Sequence, residues 1–368
     1  MRVLICGGGV IGASIAYFLS LRQVEAVVIE RTGVACAASG KSGGFLALDW
    51  CDGSPLAPLA RRSFELHAEL GAEFAAKWGY RRLATLGILA SARRKLGSPG
   101  SPGLPDWVAP AAVLHRQLGT AATTAQVHPA EFTKGMIDAA VERGSRVLLG
   151  SVTGLARTPD RNRVTGVLVN GAVIEGDAVV IAMGPWSVLA AQWLPLPMIS
   201  GLKGHSLLLR NPVPISPHAL FVECEAEDGS VDLPEVFPRP DGTTYVCGLS
   251  SDEPLPTDPA EVTSAAGAQA QLKAMIRTFA PALAEAQVVA AQACYRPVTR
   301  DGLPLIGRVP GVEGAYVATG HSVWGMLNAP ATGEAMAELI VGGDTRTVDI
   351  AVFDPARLPR LRRDAIRA

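Results

Sequence analysis

The stretch from Met1 to Glu30 constrains the fold more than any other. Arg2-Val3-Leu4-Ile5-Cys6 is a short apolar run rich in β-branched residues, the pattern of a buried strand. Gly7-Gly8-Gly9-Val10-Ile11-Gly12 interrupts it, and Ala13 to Leu19 then repeats apolar residues at helical spacing. Gly7 allows a tight turn, Gly9 lets backbone approach a pyrophosphate, and Gly12 lets helix and strand pack closely. The free N–H groups at the helix start, around Val10 and Ile11, then face phosphate oxygens. A second apolar run, Ala26 to Ile29, ends in Glu30, 18 residues beyond Gly12, where a carboxylate suits an adenosine ribose diol. The chain opens as a dinucleotide-binding unit.

At 368 residues the chain exceeds the comfortable size of one core, so two domains are expected. A formal charge of -1 gives no overall attraction to nucleic acid or anionic membrane, and small-molecule chemistry is favoured. Because the first strand starts at residue 2, a cytoplasmic protein without a leader is expected. The long uncharged stretch Ala178 to Leu202 is broken by Gly184-Pro185, Pro195 and Pro197, so it reads as buried strand, turn and apolar helix rather than a membrane span. Six cysteines lie far apart without a CxxC pair, which argues against a disulfide framework or zinc site.

Further along, Ala37 to Gly44 is a run of small residues whose backbone can lie against a ligand, with Ser39 and Ser42 as phosphate donors. Leu59 to Lys77 reads as an amphipathic helix and Gly97 to Pro105 as an exposed loop. Pro129 to about Arg143 is a helix, Arg146 to Leu149 and Val152 to Leu155 are strands, and Asn170-Gly171 marks a hairpin between Val164–Val169 and Ala172–Glu175. Ala178 to Ala182 is another buried strand, ending at Gly184-Pro185-Trp186 beside the nucleotide site. Strands around Ser206–Leu209 and Thr243–Cys247, with a helix from Val262 to Phe279, suggest a second domain. A strand at Ala315–Thr319, Gly320-His321 and a helix from Pro330 to Val341 close the pattern, and the Arg-rich tail from Arg357 to Arg367 reads as a solvated helix face.

With these pieces in view the chain resembles, nearly end to end, the D-amino-acid oxidase and glycine oxidase family of FAD enzymes. Four matches carry the resemblance: Gly7 to Gly12 with Glu30; Ala38 to Gly44; Ala182-Met183-Gly184-Pro185-Trp186-Ser187; and Asp301 to Gly307 with Gly320-His321 and Asn328 to Gly333. The last of these favours FAD over NAD. The resemblance implies an α/β, two-domain (α+β) fold: a Rossmann-like FAD-binding domain of discontinuous segments (1–80, 126–200 and 290–368) and a mixed-sheet substrate domain (81–125 and 201–289). It implies FAD contacts from Gly7, Gly9, Val10, Ile11, Gly12, Glu30, Arg31, Ala38, Ser39, Ser42, Gly43, Gly44, Val152, Gly184, Trp186 and Gly320. It also places the backbone of His321, Ser322, Val323, Trp324, Gly325, Met326 and Leu327 around the flavin pyrimidine edge.

By the same resemblance, hydride passes from the substrate Cα to flavin N5 and the imine then hydrolyses, with oxygen or another acceptor taking the electrons. The protein must hold Cα over the flavin and anchor a carboxylate, and Arg296, five residues before Asp301, is the expected anchor. Tyr245 and Trp324 are the further catalytic candidates, with Lys203, His205, Arg239 and His321 secondary. Val323 stands where glycine oxidases carry a second arginine, which puts glycine itself in doubt, and Trp324 beside it can form one wall of a larger apolar pocket that suits a bulkier or N-substituted amino acid, a choice the sequence leaves open. Cys294 lies seven residues before Asp301, the spacing of the flavin-linking cysteine in sarcosine-oxidase-like relatives, while Tyr295-Arg296-Pro297 fits the branch with non-covalent FAD. A 2-hydroxy acid oxidase or dehydrogenase, and a non-enzymatic flavoprotein, remain the alternatives.

Overall fold

The computed structural model describes residues 1–74, 77–97 and 102–362. Among them, six strands form a sheet in the order Leu305–Arg308, Ala315–Thr319, Ala178–Ile181, Arg2–Cys6, Glu25–Glu30, Arg146–Leu149. Every neighbouring pair runs parallel except the outermost, where Leu305–Arg308 is antiparallel to Ala315–Thr319. The near-continuous apolar runs of the sequence follow from this, because both faces are covered. Val3, Ile5, Val28 and Val180 point into a core shared with the helices Val10–Ser20, Pro129–Glu142 and Gly325–Gly342. Leu4, Cys6, Ile29 and Ile181 alternate onto the other face, against a three-stranded antiparallel sheet that carries Val164, Val167 and Val169.

A second, larger sheet takes the order Val288–Thr299, Ile199–Arg210, Thr243–Ser251, Glu235–Pro238, His218–Glu225, Ala84–Ser91, Val113–Gly119, with Val231–Asp232 added to His218–Glu225. It is mixed: His218–Glu225 and Ala84–Ser91 run parallel, the other pairs antiparallel. One face packs Leu86, Leu207, Leu220 and Val246 against Leu272, Ile276 and Phe279 of the helix Ala268–Phe279. The opposite face presents Phe237 and Tyr245 toward Phe45 of the nucleotide side. Phe45–Ala47, Thr124–Gln126 and Arg81–Arg82 form a small antiparallel sheet joining the two parts of the chain.

Local expectations meet this architecture with instructive differences. The expected boundary at residue 290 falls inside a strand, since Val288–Thr299 pairs along its length with Ile199–Arg210 in the large sheet. The helix expected from Val262 begins at Ala268, because Gly267 takes a left-handed conformation (φ 83°) and Pro259–Glu261 makes a separate 3-10 turn. The helix expected at Leu59 to Lys77 runs Ala57–Glu73, with residues 75 and 76 outside the described part. In the Gly97–Pro105 loop, residues 98–101 lie outside it as well. The Arg-rich tail is not a helix where described: Arg357 closes a 3-10 turn and pairs with Asp301 at 2.8 Å, and residues 363–368 lie outside the described part. Among the described residues no helix is long and apolar enough to cross a membrane.

Candidate active site

The glycine turn closes as its residue types require. Gly7 has φ 114°, and a Cβ there would stand 2.4 Å from the Ala182 carbonyl oxygen; a Cβ on Gly12 would stand 2.1 Å from that of Gly7. At Gly9 the tight neighbour is Ser39 Oγ, which accepts a hydrogen bond from Val10 N at 2.9 Å. The helix Val10–Ser20 has no side-chain cap from Gly9 and no acid in its first turn, so its positive end is left for an anion. Glu30 is buried and shaped by the same turn: Oε2 accepts from Gly8 N at 2.7 Å and Oε1 from Thr32 N at 2.9 Å. A carboxylate has about four acceptor sites, so these contacts leave capacity for a ribose diol.

A cleft of about 760 Å³ runs from this turn to the large sheet. Of the expected residues, Gly7, Gly9, Val10, Ile11, Glu30, Arg31, Ala38, Ser39, Ser42, Gly43, Val152, Gly184, Trp186, His321, Ser322, Val323, Gly325 and Met326 line it, as do Arg296, Tyr245 and Cys294. Gly12, Gly44, Gly320, Trp324 and Leu327 stand behind the lining. The three glycines shape backbone: Gly44 and Gly320 have φ 77° and 82°, and a Cβ on Gly44 would meet the Val127 carbonyl at 2.0 Å. Leu327 is buried, and Trp324 packs against the core of the six-stranded sheet and does not form the cleft wall expected of it. Ser322 takes the left-handed conformation (φ 50°), and the single 3-10 turn Ser322–Trp324 that follows carries the indole to that core.

The end of the cleft away from the glycine turn is one face of the large sheet. Arg296, Cys294, Gly204, Tyr245, Cys247 and Glu235 share it through cross-strand pairing: Gly204 with Cys294 and Ser250, Cys247 with Glu235. Arg296 reaches over the neighbouring strand and donates from Nη2 to Ser250 Oγ at 2.5 Å. It passes above Gly204, where a Cβ would lie 3.4 Å from Nη2. Tyr245 stacks on Phe237, with centroids 6.2 Å apart, and burial raises its phenol well above the ordinary value, so it stands as a neutral donor or acceptor. Glu235, Gly204, Ser250 and Cys247 were not legible as site residues. The available signal was Glu235 itself, an acid heading the otherwise apolar run Val236-Phe237.

The secondary candidates separate. His205 lines the cleft, with Nε2 3.4 Å from Ser251 Oγ. Lys203 is buried away from the lining and paired with Glu253 at 2.6 Å. Arg239 is likewise behind it, donating to the Ser42 carbonyl at 2.9 Å and lying 5.5 Å over the Tyr245 ring, so it ties the small-residue loop to the sheet. His321 is buried with Nε2 3.1 Å from Thr332 Oγ1, and burial pulls its pKa down to about 3, which keeps the ring neutral.

Behind the flavin-side loop, the helix Gly325–Gly342 starts five residues before the expected Pro330 and contains it. A proline inside a helix normally leaves carbonyls and an N–H without partners. The helix Ala57–Glu73 supplies them: His67 Nε2 donates to the Met326 and Leu327 carbonyls at 3.0 and 3.2 Å, and Ser63 Oγ accepts from Ala331 N at 3.0 Å. Burial lowers His67 to about 4, consistent with a neutral ring carrying its proton on Nε2.

The family model for FAD dependent oxidoreductases, DAO, matches residues 2–339. The chain belongs to that family. It is 31% identical to a Schizosaccharomyces pombe protein named as an oxidoreductase, over 96% of this chain and 97% of that one. It is 27% identical to the glycine oxidase of Geobacillus kaustophilus, over 96% of each. The crystal structure of the Bacillus cereus glycine oxidase superimposes with a TM-score of 0.77 at 24% identity, over 94% of this chain and 98% of that one, and shares its fold. FAD fits the cleft of this DAO-family member: the helix start with no acid in its first turn, the glycine cradle and the buried Ser42 hydroxyl, which has no partner among the described residues, are what a pyrophosphate needs.

Proposed function

We propose that this FAD-dependent oxidoreductase oxidises an amino acid or an N-substituted amino acid at its C–N bond. Arg296 carries the proposal. Its guanidinium faces the cleft, is held by Ser250 and spends only that one hydrogen bond among the described residues, which leaves a planar fork to take a carboxylate. Bound FAD would supply the hydride acceptor, after which the substrate imine hydrolyses in water. The chain's own work is to anchor the carboxylate at Arg296, to surround the Cα with Tyr245 and the sheet face, and to present a neutral His321 at the loop edge. Val323 and Leu233, 56% and 63% exposed, line the cleft from its nucleotide side and its sheet side. Two apolar side chains of that kind suit a substrate whose side chain or N-substituent is apolar.

FAD is proposed to be held without a covalent bond. Burial raises the Cys294 thiol despite the opposing charges of Arg296 and Lys41, which disfavours the thiolate that attachment requires. The experiment for the substrate class is an anaerobic screen of flavin bleaching against amino acids, N-methyl amino acids and 2-hydroxy acids. Bleaching by amines supports the reading; bleaching by hydroxy acids alone transfers it to a 2-hydroxy acid oxidase or dehydrogenase. Peroxide formation on admitting air then identifies oxygen as the acceptor.

A further inference from the structure

Two acids line the cleft among the described residues, Glu30 and Glu235, and they lie at opposite ends of its work. Glu30 is engaged by the glycine turn through Gly8 and Thr32. Among the described residues Glu235 has no cation paired to it: its Oε2 accepts a thiol contact from Cys247 Sγ at 3.6 Å across the adjacent strand. It sits on the same sheet face as Arg296, whose charge reaches it, and neither is neutralised by an ion pair with the other. An acid and an arginine held apart on one face, each with open valence toward a cavity, match the two charges of a zwitterion.

We propose that Glu235 binds the substrate's ammonium group while Arg296 holds its carboxylate, and that Glu235 removes the ammonium proton. The inference rests on the amino-acid reading above and names the residue that distinguishes an amine from a hydroxyl. In the step, one N–H bond of the ammonium breaks, one O–H bond forms on Glu235, and nitrogen keeps the electron pair. That pair is what lets the Cα–H electrons leave to the acceptor that FAD provides to this family, and Glu235 returns its proton to water after turnover. Around Glu235 stand Cys247 on the next strand, Tyr245 two residues along it, and Arg296 and Cys294 on the far strand. Burial raises the Glu235 carboxyl above the usual range, with Cys247 and Arg296 opposing, so it approaches the proton affinity a base needs.

The test uses the FAD-loaded protein and the amino acid that bleaches it fastest, with propionate as the carboxylate that lacks an amine. In Glu235→Gln, flavin reduction should slow ~100-fold or more. Its rise with pH through the Glu235 titration should vanish, while propionate should still perturb the flavin spectrum with unchanged or tighter affinity. Reduction at the original rate with the original pH profile overturns the proposal, and so does equal loss of both ligands, which marks a structural role. Were Glu235→Gln to lose FAD, Cys247→Ala carries the test. Losing the thiol contact should move the pH limb upward, and an unmoved limb assigns the titration to another group. If no amino acid bleaches the wild-type flavin, it is the substrate reading that fails, and hydroxy acids in the same screen reveal it.

Discussion

Arg296 crosses to Ser250 over a residue without a side chain, so its geometry depends on Gly204 as well as on itself. Arg296→Ala should remove a charge-assisted carboxylate contact of about 2–5 kcal/mol, roughly 30-fold to several-thousandfold in kcat/KM, with FAD retained. Gly204→Val should displace the same guanidinium and raise KM without touching the arginine. Steady-state kinetics on both variants check this; unchanged kcat/KM in either would move the anchor elsewhere. Cys294 gives a second prediction at this scale: acid precipitation should leave FAD in the supernatant, and yellow colour kept in the pellet would establish a covalent bond. The glycines of the opening turn were legible because their role follows from lacking a Cβ, whatever the rest of the chain does. Glu235 was not, because its meaning comes from Cys247 and Arg296, 12 and 61 residues away in sequence.

Among the elements, the helix Gly325–Gly342 shows why a local rule stops short. Proline suits a first helical turn, so Pro330 reads as a start. The five residues before it are helical because Ser63 and His67 of another helix supply the bonds that proline breaks, and no feature near residue 330 announces them. Ser63→Ala should leave the buried Ala331 N–H unsatisfied and cost about 1–3 kcal/mol, read by chemical denaturation. A pH dependence follows from the histidines. His67 and His321 fold with pKa values of about 4 and 3, below the unfolded value, so the unfolded chain binds more protons in the window between. Stability should therefore fall as pH drops from about 6.5, by at most about 1.4 kcal/mol per pH unit per histidine, and level off below the folded values. In His67→Gln that slope should be shallower; an identical slope would exclude His67 as a contributor.

Across the whole molecule, the six-stranded sheet was legible because parallel strands buried on both faces leave continuous apolar runs in the sequence. The larger sheet was less so: Ala84–Ser91 pairs in parallel with His218–Glu225, and Val288–Thr299 joins it from beyond the next helix, which periodicity within any one segment does not encode. Because the cleft is lined by both sheets, FAD should stabilise the entire fold. Apoprotein titrated with FAD should gain about 2.7 kcal/mol at a hundredfold excess over Kd, and a Tm independent of FAD would contradict a cofactor bound between the two sheets.

The sheet order also sets a timetable. The opening strand is flanked by Ala178–Ile181, which in turn borders Ala315–Thr319, and Gly333 of the late helix lies directly against Ser14 of the first. Once made, the glycine-turn motif therefore waits for about 300 further residues before its binding surface is closed, roughly 15–60 s at ordinary rates of synthesis. During that interval the face of its first helix that Gly325–Gly342 will cover stays exposed, so nascent chains halted before Gly325 should neither retain FAD nor escape chaperones.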